Sequence, residues 1–67
     1  MDIVHALVET RKRRGVTIKS MAELVGVTPT TLERYESGER PMPLPVAEKY
    51  AEGLKSQLLF IPKDMNT

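Results

Sequence analysis

The sequence predicts a small, mainly α domain of four compactly packed helices, followed by a short C-terminal strand. Apolar residues recur every three or four positions over most of the chain, which is the period of an α-helix. Single glycines and a proline cluster at 41–45 divide the chain into short units, each long enough for one helix. The 67 residues leave room for one domain, which we place at 1–62, with a flexible tail at 63–67.

The composition excludes several classes of protein. The chain has no Cys and a single His, which excludes a disulfide framework and a thiolate metal site, so we expect no metal and no cofactor. No apolar run approaches the roughly 20 residues of a membrane span. The N-terminus also lacks the charged segment followed by an apolar segment that is typical of a secretory signal. We therefore expect a soluble, cytoplasmic protein with no membrane partner. No carboxylate pair, His-based dyad or phosphate loop indicates an enzyme.

The first helix is predicted over residues 3–14. Asp2 is a good N-cap residue, and Gly15 suits the left-handed position that follows a helix end. Although the net charge is only +1, four consecutive basic residues at 11–14 close this helix. They can contact phosphates or offset the carbonyl end of the helix dipole, and the run alone does not decide between these interpretations. The apolar face is formed by Ile3, Val4, Leu7 and Val8.

The second and third helices are predicted over 18–25 and 29–37, with only residues 26–28 between them. Thr17 and Thr28 are N-cap residues, and a glycine follows each helix. A connection of three or four residues that contains Gly suffices to turn one helix across another. The pattern therefore predicts a tight helical pair. Its expected packing residues are Ala22, Val27, Leu32 and Tyr35.

The fourth helix is predicted over 44–54 and is followed by a predicted strand over 57–61. We expect Gly53 to weaken the last turn of this helix, by up to about 1 kcal/mol relative to Ala. Residues 58–61 are contiguous apolar residues that Pro62 stops, a pattern typical of a short strand. The alternative is a fifth short helix or an irregular tail packed on its own domain.

A series of residues at defined spacings runs through the centre of the chain. Its members are Arg11, Gly15, Thr17, Met21, Ala22, Val25, Gly26, Val27, Thr28, Leu32, Tyr35, Glu36, Ser37, Gly38, Arg40 and Pro41. This series resembles the Cro/repressor (XRE-type) helix-turn-helix family. The resemblance implies a lambda-repressor-like fold, in which the helix at 29–37 enters the major groove of double-stranded DNA. It also implies a sequence-specific transcriptional regulator of the repressor type.

Two residues depart from the family pattern. Ile18 stands where the family often has a glutamine that contacts phosphate, so that contact is not carried over to this chain. Pro29 occupies the first position of the recognition helix, where relatives place a base reader. Because proline has no polar group to donate, base reading is expected to shift inward along the helix.

Helical geometry selects the candidate base readers. At about 100° per residue, Thr30 and Arg34 lie opposite the apolar face of the third helix, with Thr31 on the flank. Arg34 is the strongest candidate, because its guanidinium can donate to two acceptors on guanine. Thr30 or Thr31 could contact a thymine methyl group or a phosphate. The alternative is that Arg34 is a solvated surface residue paired with Glu33.

Candidate phosphate contacts lie at the starts of the second and third helices, where free N–H groups and the helix dipole favour anions, and, as the family resemblance implies, just past the third helix at Arg40. The alternative role of Thr17, at the start of the second helix, and of Thr28, at the start of the third, is simple N-capping, which is compatible with contact to phosphate. The full set of expected phosphate contacts is Thr17, Lys19, Ser20, Thr28, Ser37 and Arg40.

The family resemblance also implies an ion pair between Arg11 and Glu36, which would join the first helix to the end of the third. Both residues lie on the apolar faces of their predicted helices. Removing one partner of such a buried pair costs about 3–5 kcal/mol. We therefore assign Arg11 to the structure and not to DNA binding.

The apolar segment near the C-terminus is interpreted as a dimer interface formed by Leu58, Leu59, Phe60 and Ile61. So small a core cannot cover all four side chains, and a lone strand leaves its backbone groups unpaired. The segment is similar to that of DNA-binding antitoxins of the HipB type, which implies an antiparallel two-stranded sheet across a dimer axis. A homodimer would place two recognition helices about 34 Å apart on a palindromic operator.

Two classes of function remain open at this point. The first is a homodimeric transcriptional regulator that binds double-stranded DNA. The second is an antitoxin-type interaction module that binds a toxin protein as its partner and autoregulates its promoter. The 67 residues leave little room for a toxin-covering segment. A co-purifying partner would separate the two.

Overall fold

The computed structural model describes residues 2–60, with side chains as far as Lys55. Within residues 2–60 it contains four helices and no strand. The helices are α1 (Ile3–Arg13), α2 (Ile18–Val25), α3 (Pro29–Ser37) and α4 (Leu44–Phe60). The predicted mainly α, four-helix architecture is confirmed, and the first three helices end within one residue of their predicted bounds.

Side-chain caps begin the first three helices. Asp2 accepts from the amide of Val4 at 3.0 Å, Thr17 from that of Ser20 at 3.1 Å and Thr28 from that of Thr31 at 3.2 Å. Each cap satisfies one of the backbone donors that a helix N-terminus leaves without an intrahelical acceptor. The capping residues seen in the sequence therefore fix where these helices begin.

The core lies where α2 packs against α3 and α4, while α1 packs against the same two helices. Met21, Leu32 and Tyr50 are the largest side chains that are wholly buried. One residue from each of α2, α3 and α4 thus meets at the centre of the domain. The remaining core residues of this cluster are Val16, Ala22, Val25 and Leu54.

Gly53 lies where α4 packs against α2 and is buried. A Cβ atom at this position would lie 3.3 Å from Leu24 Cβ and 3.3 Å from Met21 Sδ. The glycine was expected only to weaken the end of the fourth helix. In the structure α4 continues to Phe60, so Gly53 lies inside the helix, where its lack of a side chain gives α2 the space to pack directly on the α4 backbone.

The C-terminal part of α4 differs from the sequence prediction. A helix over 44–54 and a strand over 57–61 were predicted, but α4 continues through Phe60, so residues 57–60 are helical and not a strand. No Gly or Pro occurs between Leu54 and Phe60. Extending an existing helix needs no new nucleation, so the apolar run joins α4. Ile61 and the predicted tail at 63–67 lie outside the described residues.

None of the four helices within residues 2–60 combines the length and the apolar character that crossing a bilayer requires.

Candidate nucleic-acid interface

The turn between α2 and α3 is short and internally hydrogen-bonded. The amides of Gly26 and Val27 both donate to the carbonyl of Ala22, at 2.8 Å and 3.1 Å. Gly26 adopts φ = 90°, a conformation that costs glycine little and other residues much more. Val27 packs against the core, and Leu32 is wholly buried. Together these contacts hold α3 firmly against α2 and leave the opposite face of α3 in solvent.

The predicted base readers lie on that outer face. Thr30 and Arg34 are exposed and one helical turn apart, while Thr31 is half-buried on the flank. The hydroxyl of Thr28 donates to Thr31 Oγ1 at 2.9 Å. Thr30 and Arg34 therefore present the accessible polar groups at the centre of this face, and Thr31 is held by the N-cap.

Arg34 pairs with Glu39 and not with Glu33, the partner that the sequence suggested. Its Nε lies 3.8 Å from Glu39 Oε2, and the two side chains are 46% and 65% exposed. Glu33, the partner considered from the sequence, forms no ion pair within the part of the chain that the structure describes. Exposed pairs of this kind contribute about 0–1 kcal/mol to stability. Arg34 is therefore available for other contacts.

The chain turns back on itself after α3 through a network around the Arg34 carbonyl. Ser37 Oγ donates to this carbonyl at 3.2 Å, and the amide of Arg40 donates to it at 3.1 Å. Ser37 Oγ also accepts from the amide of Glu39 at 3.3 Å. Gly38 adopts φ = 86° in this turn. The Ser37 hydroxyl proton is thus engaged within the chain, whereas the Arg40 side chain is exposed.

The N-terminus of α2 presents several groups suited to an anion. Thr17, Lys19 and Ser20 are all exposed there. The first intrahelical hydrogen bond runs from the amide of Met21 to the carbonyl of Thr17 at 3.0 Å, so the amides of residues 18 and 19 precede it. Ile18 packs against the core, which agrees with its lack of a phosphate-binding side chain.

Behind the interface, a polar cluster joins three helices. Arg11 Nε lies 2.9 Å from Glu36 Oε2, and Arg11 Nη2 donates to Glu36 Oε1 at 3.0 Å. Arg11 Nη1 donates to the carbonyl of Val16 at 2.7 Å. Tyr50, wholly buried, donates its hydroxyl to Glu36 Oε2 at 2.6 Å and accepts from Arg11 Nε at 3.1 Å. The cluster therefore ties the end of α3 to α1 and α4.

Burial and the neighbouring charges shift the pKa values of two groups of this cluster. Burial is the largest single influence on the Arg11 guanidinium and lowers its pKa, but the hydrogen bonds and charge interactions with Glu36 and Tyr50 together outweigh burial and raise the pKa. Burial raises the pKa of the Tyr50 hydroxyl well above its usual range, and the neighbouring Glu36 carboxylate raises it further. Arg11 therefore stays charged and Tyr50 stays neutral at physiological pH.

Sequence reasoning missed the part that Tyr50 plays, because the prediction of the fourth helix assigned no role to this residue. A buried Tyr hydroxyl usually finds a hydrogen-bond partner. The signal that could have identified it was therefore a Tyr on a core face in a chain that also carries the Arg11–Glu36 pair.

Within residues 2–60, no group of three or more His, Cys, Asp or Glu side chains could hold a metal ion. A family model described as a helix-turn-helix domain matches residues 2–57. The match covers the first three helices, both turns around α3 and most of α4. No curated protein and no solved structure matches the chain at a significant level.

Proposed function

The chain belongs to the helix-turn-helix domain family, and from this premise we propose that it is a sequence-specific regulator that binds double-stranded DNA through α3. The observation that carries the proposal is the outer face of α3. It presents Arg34 and Thr30 to solvent, while its inner face is fixed on α2 through the wholly buried Leu32. A recognition helix requires this combination of a rigid seat and exposed polar side chains.

In the proposed complex, Arg34 reads guanine from the major groove through its terminal nitrogens. Thr30 contacts the neighbouring base, and Thr31 contacts a base or phosphate at the flank. Contacts to phosphate fix the register of such a complex without carrying sequence information. We assign these contacts to Thr17, Lys19, Ser20, Thr28, Ser37 and Arg40; the hydroxyls of Thr28 and Ser37 donate within the free chain and would turn to phosphate on binding.

We further propose that the protein acts as a homodimeric repressor on a palindromic operator. The support is the small number of base-reading groups on α3, since one copy would make few specific contacts. The segment proposed to join the copies is 58–61, whose side chains lie outside the described residues. Because residues 57–60 are helical, the antiparallel strand pair expected from the sequence is not part of this proposal.

A binding selection on random duplexes tests the function. We expect enrichment of one sequence in two inverted half-sites, with their centres about one helical turn, or 34 Å, apart. Enrichment of a single half-site would contradict the homodimer and leave DNA recognition intact. If no sequence is enriched and the protein binds no duplex at low salt, the proposed function is wrong.

Substitution of Arg34 by Ala tests the role of α3 on the selected operator. We expect a loss of about 1–3 kcal/mol in binding free energy and relaxed preference at one base position. Lys49→Ala is the matched control, because it removes one exposed positive charge from α4. An equal loss on operator and unrelated DNA would show that Arg34 contacts only phosphate.

A further inference from the structure

The outer face of α3 carries negative charge beside its main DNA-reading candidate. Thr30, Glu33, Arg34, Ser37 and Glu39 line one shallow groove on this face. Two carboxylates close to the phosphate backbone oppose the electrostatic attraction on which DNA binding depends. Their presence on the proposed interface therefore needs a physical reason.

The geometry of the Arg34–Glu39 pair supplies a physical reason for the presence of Glu39 on this face. The carboxylate approaches Arg34 at Nε, at a distance of 3.8 Å. Guanine is recognised by two parallel N–H groups that donate to its O6 and N7 atoms. A guanidinium held at Nε still has both Nη groups at its far end for this purpose.

The turn after α3 fixes the backbone of Glu39 beside Arg34. The amide of Glu39 donates to Ser37 Oγ at 3.3 Å, and Ser37 Oγ donates to the carbonyl of Arg34 at 3.2 Å. The amide of Arg40 closes the same turn on that carbonyl at 3.1 Å. Residue 39 is therefore placed by three hydrogen bonds, two of which end on Arg34 itself.

We propose that Glu39 is a positioning residue for specificity: its carboxylate restrains Arg34 through Nε so that both Nη groups are directed toward guanine. This inference rests on the proposed DNA-binding function. A long Arg side chain loses rotamer freedom when it binds, and a restraint present in the free protein reduces that loss. The carboxylate thus increases the preference for DNA sites that contain the guanine read by Arg34, and it lowers the affinity for DNA of any sequence.

The test compares Glu39→Ala with Glu33→Ala. Glu33 lines the same groove and is exposed, but it makes no ion pair within the described part of the chain, so the control removes an equal charge without the restraint. Each variant is titrated, at one salt concentration, with the selected operator and with a duplex in which the guanine read by Arg34 is replaced. The readout is the ratio of the two affinities.

We expect Glu39→Ala to lower this ratio by up to about fivefold, the range of an exposed ion pair. Glu33→Ala should raise both affinities by the same factor and leave the ratio unchanged. Glu39→Gln, which keeps an oxygen acceptor but not the charge, should fall between wild type and Glu39→Ala. In the Arg34→Ala background, removal of Glu39 should not change the ratio.

The inference is overturned if Glu39→Ala raises both affinities and keeps the ratio, as Glu33→Ala is expected to do. Glu39 would then be only a repulsive charge. A wild-type protein that binds no duplex would overturn the proposed function together with this inference. A wild-type protein that discriminates and a Glu39→Ala variant with an unchanged ratio would overturn the inference alone.

Discussion

Helix α3 contributes one residue to each of two arginine–glutamate pairs, and the pairs differ in depth and geometry. Glu36 meets Arg11 through two short contacts of 2.9 Å and 3.0 Å, between side chains that are 10% and 9% exposed. Arg34 meets Glu39 through one contact of 3.8 Å, between side chains that are 46% and 65% exposed. The two pairs share their chemistry and differ in access to water.

Because of this difference, the two pairs on the nine-residue helix α3 have different roles. Water has little access to the Arg11–Glu36 pair, so breaking this pair leaves a largely buried charge without its partner. The exposed pair loses little when it breaks, because solvent hydrates both ends. The first pair therefore holds α3 in place, and the second leaves its arginine available to a ligand.

The largest effect is expected from breaking the buried pair. Arg11→Met should lower the free energy of unfolding by about 3–5 kcal/mol, because the Glu36 carboxylate is left buried without its cation. Urea unfolding followed by circular dichroism measures this loss. Arg13→Ala is the control on the same helix: Arg13 is exposed, and its removal should change stability by no more than about 0.5 kcal/mol.

A double-mutant cycle keeps this prediction testable if the single variant is largely unfolded. Arg11→Met combined with Glu36→Met should lose less stability than the sum of the two single losses, because the double variant leaves no unpaired charge. Glu36→Met alone supplies the other single loss. Additive losses would show that the two residues are not coupled and would contradict the structural role of the pair.

The two pairs also differ in how far the sequence could predict them. The Arg11–Glu36 pair followed from the resemblance of the chain to a known family, because both residues belong to its motif. The Arg34–Glu39 pair depends on the left-handed Gly38, which turns residue 39 back toward α3. Sequence spacing placed Gly38 at a helix end but did not give the direction in which the following side chain points.

The fold, like the two ion pairs, was predictable from the sequence where the signal is local and not where it depends on distant parts of the chain. The starts of α1, α2 and α3 follow from N-cap residues and helical periodicity, which are local signals. The end of α4 was predicted wrongly, since a short apolar run is ambiguous between strand and helix until the preceding element is known. The role of Gly53 depends on the position of α2, which no local pattern contains.

An intermediate effect is expected from Tyr50→Phe, which keeps the ring in the core and removes the hydroxyl from the buried pair. Hydrogen bonds to charged groups contribute about 1.5–3 kcal/mol, and we expect a loss in this range at neutral pH. Urea unfolding at pH 7 measures it. A variant as stable as wild type would show that Arg11 and Glu36 need no hydrogen bond from Tyr50 to stabilise the fold.

The same substitution should alter the dependence of stability on pH. The pKa of Tyr50 is raised in the folded protein above its ordinary value of 10.0, so above about pH 10 the unfolded chain loses a proton that the folded chain keeps. Stability then falls as pH rises, by up to about 1.4 kcal/mol per pH unit. This part of the slope should be absent from Tyr50→Phe, and equal slopes for the two proteins would contradict it.

The smallest effect on stability is expected from the exposed pair. Arg34→Ala and Glu39→Ala should each change the free energy of unfolding by no more than about 0.5 kcal/mol, because both side chains are hydrated when separated. Urea unfolding at low and high salt measures this. A loss above about 1 kcal/mol for Arg34→Ala would mean that Arg34 supports the turn after α3, and its effect on DNA binding could then not be assigned to base contact. Preserved stability of Arg34→Ala with lost operator binding would assign Arg34 to recognition.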